Sequence, residues 1–197
     1  MARIASSGNW DDADEQRLRA AWVAEPPKLN GTVTLADYDE AWPRLFEREA
    51  GRIRRALGDR VMRLEHIGST SVPRLAAKPV IDILLVIADP ADESAYVPDL
   101  ERAGYRLVIR EPHWHEHRVL RGQDPDVNLH VHHPGSPEIE RHLAFRDHLR
   151  SSEPDRRRYE QAKRRLASQH WTYIQQYADA KTEVIEAIIE RSTGRRG

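Results

Sequence analysis

Between Pro79 and Ala88 the chain is aliphatic except at one position, Asp82. A carboxylate set among Val, Ile and Leu costs several kcal/mol unless it is paired, hydrogen-bonded or bound to a cation. Asp82 therefore reads either as a structural aspartate paired with Lys78 or an arginine, or as a ligand for a divalent metal. Upstream, Gly68-Ser69-Thr70-Ser71 follows the apolar stretch Val61–Ile67. A glycine lets backbone N–H groups approach a phosphate, and the hydroxyls of Ser69, Thr70 and Ser71 add further donors. A lone Gly-Ser pair is usually a plain turn. The ordered set is more specific: a strand, Gly68-Ser69, twelve intervening residues, then Asp82 inside a second strand.

The histidines form a second group. His113, His115 and His117 alternate, as do Asn128, His130 and His132, so within strands each set shares a face. If those strands pair antiparallel, His117 and His130 come side by side near Asp82 and His66. Several imidazoles around one carboxylate suit zinc, manganese or iron better than magnesium. Asp82, His117 and His130 are the candidate metal ligands; His113, His115, His132 and His133 read as exposed strand or turn residues. His66, directly before the turn, fits a general base or an Asp82 partner as well as it fits a structural hydrogen-bonding role. Lys181 falls near the apolar stripe of the last helix, flanked by Tyr177 and Ile185. It either snorkels to solvent or reaches a phosphate across a cleft. Lys163, Arg146 and the Arg156-Arg157-Arg158 run read as solvated-face residues, and Trp114 as a packing residue, with base stacking as the alternative.

The elements that must carry these residues follow from periodicity. Residues 1–30 read as an N-terminal arm, helical over Asn9–Glu25 and stopped by Pro26-Pro27; whether it packs on the body is left open. Thr32–Leu35 reads as a strand. A helix capped by Asp37 or Asp39 carries Trp42, Leu45, Phe46, Ala50, Ile53 and Leu57 at spacings of three and four and ends at Gly58. Val61–Ile67 and Pro79–Ala88 read as strands, the second covered on both faces. A helix over Glu93–Ala103 precedes strands at Tyr105–Arg110, His115–Arg121 and Val127–His133, joined by hairpin turns. Ile139–Leu149, Pro154–Ser168 and Trp171–Ile189 read as helices. The domain plan is thus an arm (1–30), an α/β core (31–135) and a C-terminal helical lobe (136–197).

Composition narrows the function classes. The chain has 197 residues, with 31 Lys plus Arg against 32 Asp plus Glu and a net charge of −1. That balance removes the bulk electrostatic case for a nucleic-acid or membrane-surface protein. There is no cysteine, so thiolate metal sites, disulfides and thiol nucleophiles are excluded. No apolar run approaches the roughly 18–20 residues of a membrane span, and the region after Met1 has no signal-peptide core. A soluble, cytoplasmic protein is expected.

The pattern around Asp82 is similar to the signature of the nucleotidyltransferase superfamily. The stretch Glu65-His66-Ile67-Gly68-Ser69-Thr70-Ser71-Val72-Pro73, continuing to Ala77-Lys78-Pro79-Val80-Ile81-Asp82-Ile83, resembles one branch closely, the GrpB family. Tyr38, Trp42-Pro43, His117-Arg118, Asn128-Leu129-His130-Val131, Phe145-Arg146-Asp147, Tyr177-Ala178 and Lys181 extend the resemblance over roughly Thr32 to Glu190. It implies an α+β, nucleotidyltransferase-like fold, a small mixed β-sheet with flanking helices and a C-terminal helical lobe. It does not imply a defined reaction, although a related domain is joined in some bacteria to dephospho-CoA kinase. This chain has no kinase P-loop. Active superfamily members carry two carboxylates two residues apart; here Leu84 stands at the second position, and Asn128 and His130 stand where a third carboxylate is expected.

The expected site then comprises Gly68, Ser69, Thr70, Ser71 and Lys78 for the phosphates of an NTP, with ATP the first candidate. Asp82, His66 and Lys181 take catalytic roles, and Asp82, His117 and His130 hold a divalent metal, Mg²⁺ or Mn²⁺ with Zn²⁺ as the alternative. The acceptor is expected to be a small molecule. Two other readings stay open: a binding module that kept the fold and lost turnover, and a histidine–transition-metal site doing metal-assisted chemistry.

Overall fold

The computed structural model describes residues 10–192 of the chain, so the expected start of the arm helix at Asn9 lies outside the described residues. Helix α1 spans Asp12–Ala21 and opens with a capping box: Asp11 accepts from the Asp14 N–H, and Asp14 accepts from the Asp11 N–H, both at 2.9 Å. The arm then docks on the body. Trp22 bridges Ile109, and the Val23 N–H donates to the Val108 carbonyl at 3.0 Å.

Strand β1 is Lys28–Gly31, not Thr32–Leu35, and it pairs antiparallel with β7, Trp171–Tyr173. A strand forms where a partner exists. Val33 instead gives its N–H to the Ala167 carbonyl, and Ala36 bridges Ala77. Helix α2, Ala41–Leu57, starts where Asp39 accepts from the Ala41 N–H, buries the expected stripe and stops at Gly58, whose φ of 56° favours glycine.

The main sheet has five strands in the order β2 (Arg63–Ile67), β3 (Ile81–Val86), β6 (Val127–His132), β5 (His117–Gly122), β4 (Tyr105–Glu111). β3 and β6 run parallel; the other neighbours are antiparallel. The helix expected at Glu93–Ala103 is a short 3₁₀ turn, Glu93–Ala95, followed by α3, Val97–Arg102, which restarts with Pro98 in its first turn. The stretch 112–116 is a turn. His113 and His115 therefore sit in an exposed turn and do not share a strand face with His117.

Alternation divides the sheet. Ile81, Ile83 and Leu85 of β3, with Val127, Leu129 and Val131 of β6, pack with Trp42, Ile53 and Leu100 of α2 and α3 into the main core. On the opposite face Leu84 and Val86 meet Ile139 and Leu143 of α4 (Pro137–Ser151). Helix α5 (Glu153–Ala167) follows. The helix expected over Trp171–Ile189 is three pieces: β7, α6 (Ile174–Asp179) and α7 (Thr182–Ser192). Aromatic and β-branched Trp171–Tyr173 finds a strand partner in β1, and the Gln176 side chain accepts from the Thr172 and Tyr173 N–H groups to start α6. Among the described residues no helix is long and apolar enough to cross a membrane.

Candidate functional site

The face of the sheet that carries Asp82 forms the floor of a cleft of about 680 Å³, roofed by the C-terminal helices and closed at one end by the arm. That volume is in the range of small-molecule sites. Register sets the floor. Ile67 of β2 stands opposite Asp82 of β3, Asp82 beside Asn128 of β6, and Asn128 opposite Arg121 of β5, so one row crosses four strands. At its β2 end is Gly68, and beyond Arg121 is Trp22 of the arm, 4.9 Å under the Arg121 guanidinium.

Gly68 is held at φ +69°. A Cβ there would come within 2.9 Å of the Asp82 Cβ and closer still to its Oδ2, so the turn lies directly against the carboxylate and only glycine fits. The Asn128 side-chain amide donates to Asp82 Oδ1 at 2.9 Å, and His130 Nε2 stands 3.9 Å from the same oxygen. Burial works against the Asp82 charge, but His130, the Asn128 amide and Lys181 outweigh it and hold the carboxyl below its usual range. Asp82 is thus a partnered carboxylate.

The cations explain the cleft's chemistry. Lys181, which a continuous helix would place on a stripe, lies in the break between α6 and α7. Its amine sits 4.4 Å over the Tyr177 ring, and burial pulls it down to about 8 against the pull of Asp82. Lys163 is buried rather than solvated. Its amine donates to the Ala76 carbonyl, lies 4.9 Å over the Tyr159 ring and is pulled by burial to about 7. Lys78 lines the more open mouth, lowered by desolvation and by Arg121. Carboxylates act on all three amines: Asp82 and Asp179 on Lys181, Glu160 on Lys163, and Asp82 and Asp126 on Lys78.

The cleft gathers Gly68, Ser69, Thr70, Lys78, Asp82, His130 and Lys181. Thr70 and Ser71 spend their hydroxyls internally, on the Val80 carbonyl at 3.0 Å and the Gly68 carbonyl at 2.6 Å. Ser71 and His66 line a separate hollow on the other side of the turn. His66 pairs with Ile83, so it belongs to the opposite sheet face from Asp82. It stacks on Phe46 at 4.9 Å, meets Thr70 Oγ1 at 3.1 Å and is lowered by burial to about 4. His117 stands behind His130 rather than in the cleft, with both ring nitrogens engaged: Nδ1 with Glu111 Oε2 at 2.6 Å and Nε2 with His130 Nδ1 at 3.2 Å.

Several surface expectations change. His132 is fully buried and stacks on His117 at 4.7 Å, because β6 is covered on both faces. Arg156 is buried, donating to the Leu149 carbonyl at 3.0 Å. Arg146 ties α4 to β2 through Glu65 at 2.8 Å. Lys163, read from the sequence as solvated, and three residues not singled out there also shape the site. Lys163 lies four residues after Tyr159 and three before Leu166, on the buried stripe of α5, a spacing that could have revealed it. Arg121, His142 and Glu111 carry no such signal.

The donor set can be tested against a cation. Among the described residues no three His, Asp or Glu side chains converge as a complete ligand set. Asp82 Oδ1 and His130 Nε2 stand 3.9 Å apart, too far for a hydrogen bond. Ligands about 2.0–2.2 Å from a common ion stand at most about 4.4 Å apart, so this pair could bracket one ion only at a wide angle and could supply no more than two of its ligands.

The chain is similar in sequence and fold to known proteins. Residues 32–191 match the family model described as GrpB protein. A UPF0157 protein of Halalkalibacterium halodurans is 50% identical over 192 residues, covering 98% of each chain. The crystal structure of the conserved protein GrpB from Enterococcus faecalis superposes with a TM-score of 0.70 at 32% identity, covering 80% of this chain and 98% of that one. A dephospho-CoA kinase of Mycolicibacterium paratuberculosis is 33% identical over 164 residues, 70% of this chain but 40% of that protein.

Proposed function

The chain belongs to the GrpB family, and from that premise we propose that its cleft binds a nucleoside triphosphate with a divalent cation and transfers the nucleotidyl group to a small-molecule acceptor. The observation that carries this reading is the set of amines, Lys78, Lys163 and Lys181, that line one cleft with the Gly68 turn and Asp82. Gly68 and Ser69 offer backbone N–H groups to the phosphates, and Lys163 and Lys181 neutralise charge on the transferring group. Asp82 and His130 would hold the cation, which supplies further neutralisation of the phosphate oxygens. Attack by the acceptor on the α-phosphate forms the new P–O or P–N bond as pyrophosphate leaves. The balanced net charge of −1 favours a small acceptor over a polynucleotide.

One observation favours a second reading, binding without turnover. Leu84, at the position of the second carboxylate in active superfamily members, is fully buried against Ile139 and Leu143, so a two-metal site has no place there. A thermal-shift panel on metal-stripped protein separates the outcomes, using ATP, GTP, CTP and UTP with Mg²⁺ or Mn²⁺. A ligand at about 100 times its Kd adds about 2.7 kcal/mol. A rise with nucleotide plus metal that Asp82→Ala abolishes supports the cleft, and pyrophosphate release with an acceptor supports transfer. A rise without release under any acceptor favours the binding module, and no rise with any nucleotide defeats both.

A further inference from the structure

The arm end of the cleft is built differently from the Gly68 end. Ile109 of β4 and Val119 of β5 pair across the sheet and line it from one side, and Leu18, Trp22 and Pro26 of the arm line it from the other. These walls are apolar or aromatic, and one cation stands among them. Arg121 of β5 is half-buried and lines the cleft, with its guanidinium 4.9 Å from the centre of the Trp22 ring. Burial disfavours its charge. Asp126 supports that charge at a distance, and among the described residues the guanidinium donates no hydrogen bond. Its N–H donors, set in a rigid planar fork, are open to the cleft.

This end is separate from the Asp82 carboxylate. Arg121 stands in the row that runs through Asn128 to Asp82, two strands away from it. Neighbouring strands lie about 4.8 Å apart, so the two backbone positions are about 10 Å apart. The guanidinium lies still further off, over Trp22, which bridges Ile109 on the edge strand β4. Asp82 is not among the charges that act on Arg121, whereas both act on Lys78. The arm that supplies Trp22 also falls outside residues 32–191 matched by the family model. A nucleobase presents donors and acceptors together, but the side chains here offer a donor fork between apolar walls. That combination suits a carboxylate on an apolar body, with both oxygens held at once by the fork.

We propose that the arm end of the cleft is the acceptor subsite, and that it takes a small molecule with an apolar body and one carboxylate, bound by the Arg121 fork. This deepens the nucleotidyl-transfer reading, on which it rests, by naming the chemical class of the acceptor. The carboxylate anchors the acceptor rather than reacting, because Arg121 lies two strands from Asp82, beside which the cation and the α-phosphate are proposed to meet. Trp22 is a positioning residue: its ring holds the guanidinium by a cation–π contact.

Benzoate is the probe, and benzamide, of the same shape without the charge, is its control. Calorimetric titration of the full chain should show saturable benzoate binding at least about tenfold tighter than benzamide binding, the factor expected of a hydrogen bond to a charged group. Arg121→Gln should remove that preference while keeping the thermal shift given by ATP with Mg²⁺. Trp22→Leu should weaken benzoate binding about 2–5-fold. Benzoate should bind as well with ATP and Mg²⁺ present as without them, since an acceptor must share the cleft with the nucleotide. The benzamide comparison uses the native protein, so it decides the question even if Arg121→Gln does not fold. No saturable benzoate binding, or equal binding of the two probes, overturns the proposal. So does a folded Arg121→Gln that binds benzoate like the native protein. Displacement of benzoate by ATP assigns Arg121 to the nucleotide, which overturns the acceptor subsite and leaves the nucleotide reading intact. Benzoate binding in a protein that no nucleotide stabilises overturns the acceptor role together with the transfer reading.

Discussion

The two faces of the central sheet are built from the same strands and obey opposite rules. On one face Ile81, Ile83, Leu85, Val127, Leu129 and Val131 pack against α2 and α3 with almost no exposure. On the other, the alternate residues Asp82, Asn128, His130 and His132 share the space with Lys163 and Lys181. The first face gains free energy from apolar burial. The second gives some back, because amines and imidazoles lose hydration there and are pushed toward their neutral forms.

Breaking the apolar face should have the largest effect. Leu129→Ala removes a fully buried side chain at the centre of the main core. Chemical denaturation should show a loss of about 2–5 kcal/mol, with any ligand response lost only as far as the fold is lost.

Gly68→Ala strikes where the faces' logic meets at the turn. It places a Cβ against the Asp82 carboxylate at a φ of +69°. Backbone strain of about 1–3 kcal/mol should appear in the melt, together with complete loss of the nucleotide-plus-metal shift. Near-wild-type binding in this variant would separate the turn from the site.

The sharpest contrast is expected at Lys163. Its folded-state amine is pulled from 10.5 to about 7 by burial. Between those two pH values the unfolded chain holds a proton that the folded chain has released, so stability rises with pH across that window. Melts of the native protein should climb from pH 7 toward pH 10.5, and Lys163→Met should flatten that climb. Below pH 7, where the folded amine keeps its proton, the same variant should bind triphosphate at least about tenfold more weakly, since a charged hydrogen bond is worth about 1.5–3 kcal/mol. A native melt that falls over this range would mean that Lys163 is charged in the fold and that the contrast between the faces is overstated.

Much of this contrast was readable along the chain. Asp82 announced itself because a carboxylate interrupts a strand whose other residues are aliphatic, and Gly68 because it sits at the strand–turn junction ahead of it. The α2 stripe from Trp42 to Leu57 and its stop at Gly58 followed from local spacing and capping alone. Lys163 was within reach, on the buried stripe of α5, but a lysine on a helix is usually solvated and the roof above it was not visible.

Local chemistry and period, which depend on near neighbours, thus determined the family resemblance, most of the strands and helices, and the pairing of a glycine turn with Asp82. The tertiary structure decided what depends on register and on distant segments. The Ile67–Asp82 pairing turns His66 away from the carboxylate, and the Glu111–His117 pairing holds His117 behind His130. The pairing of β1 with β7 helps break the last helix, and the break puts Lys181 over the cleft. A one-residue slip in any of these ladders would send each side chain to the other face, and no local pattern encodes which partner a strand will find.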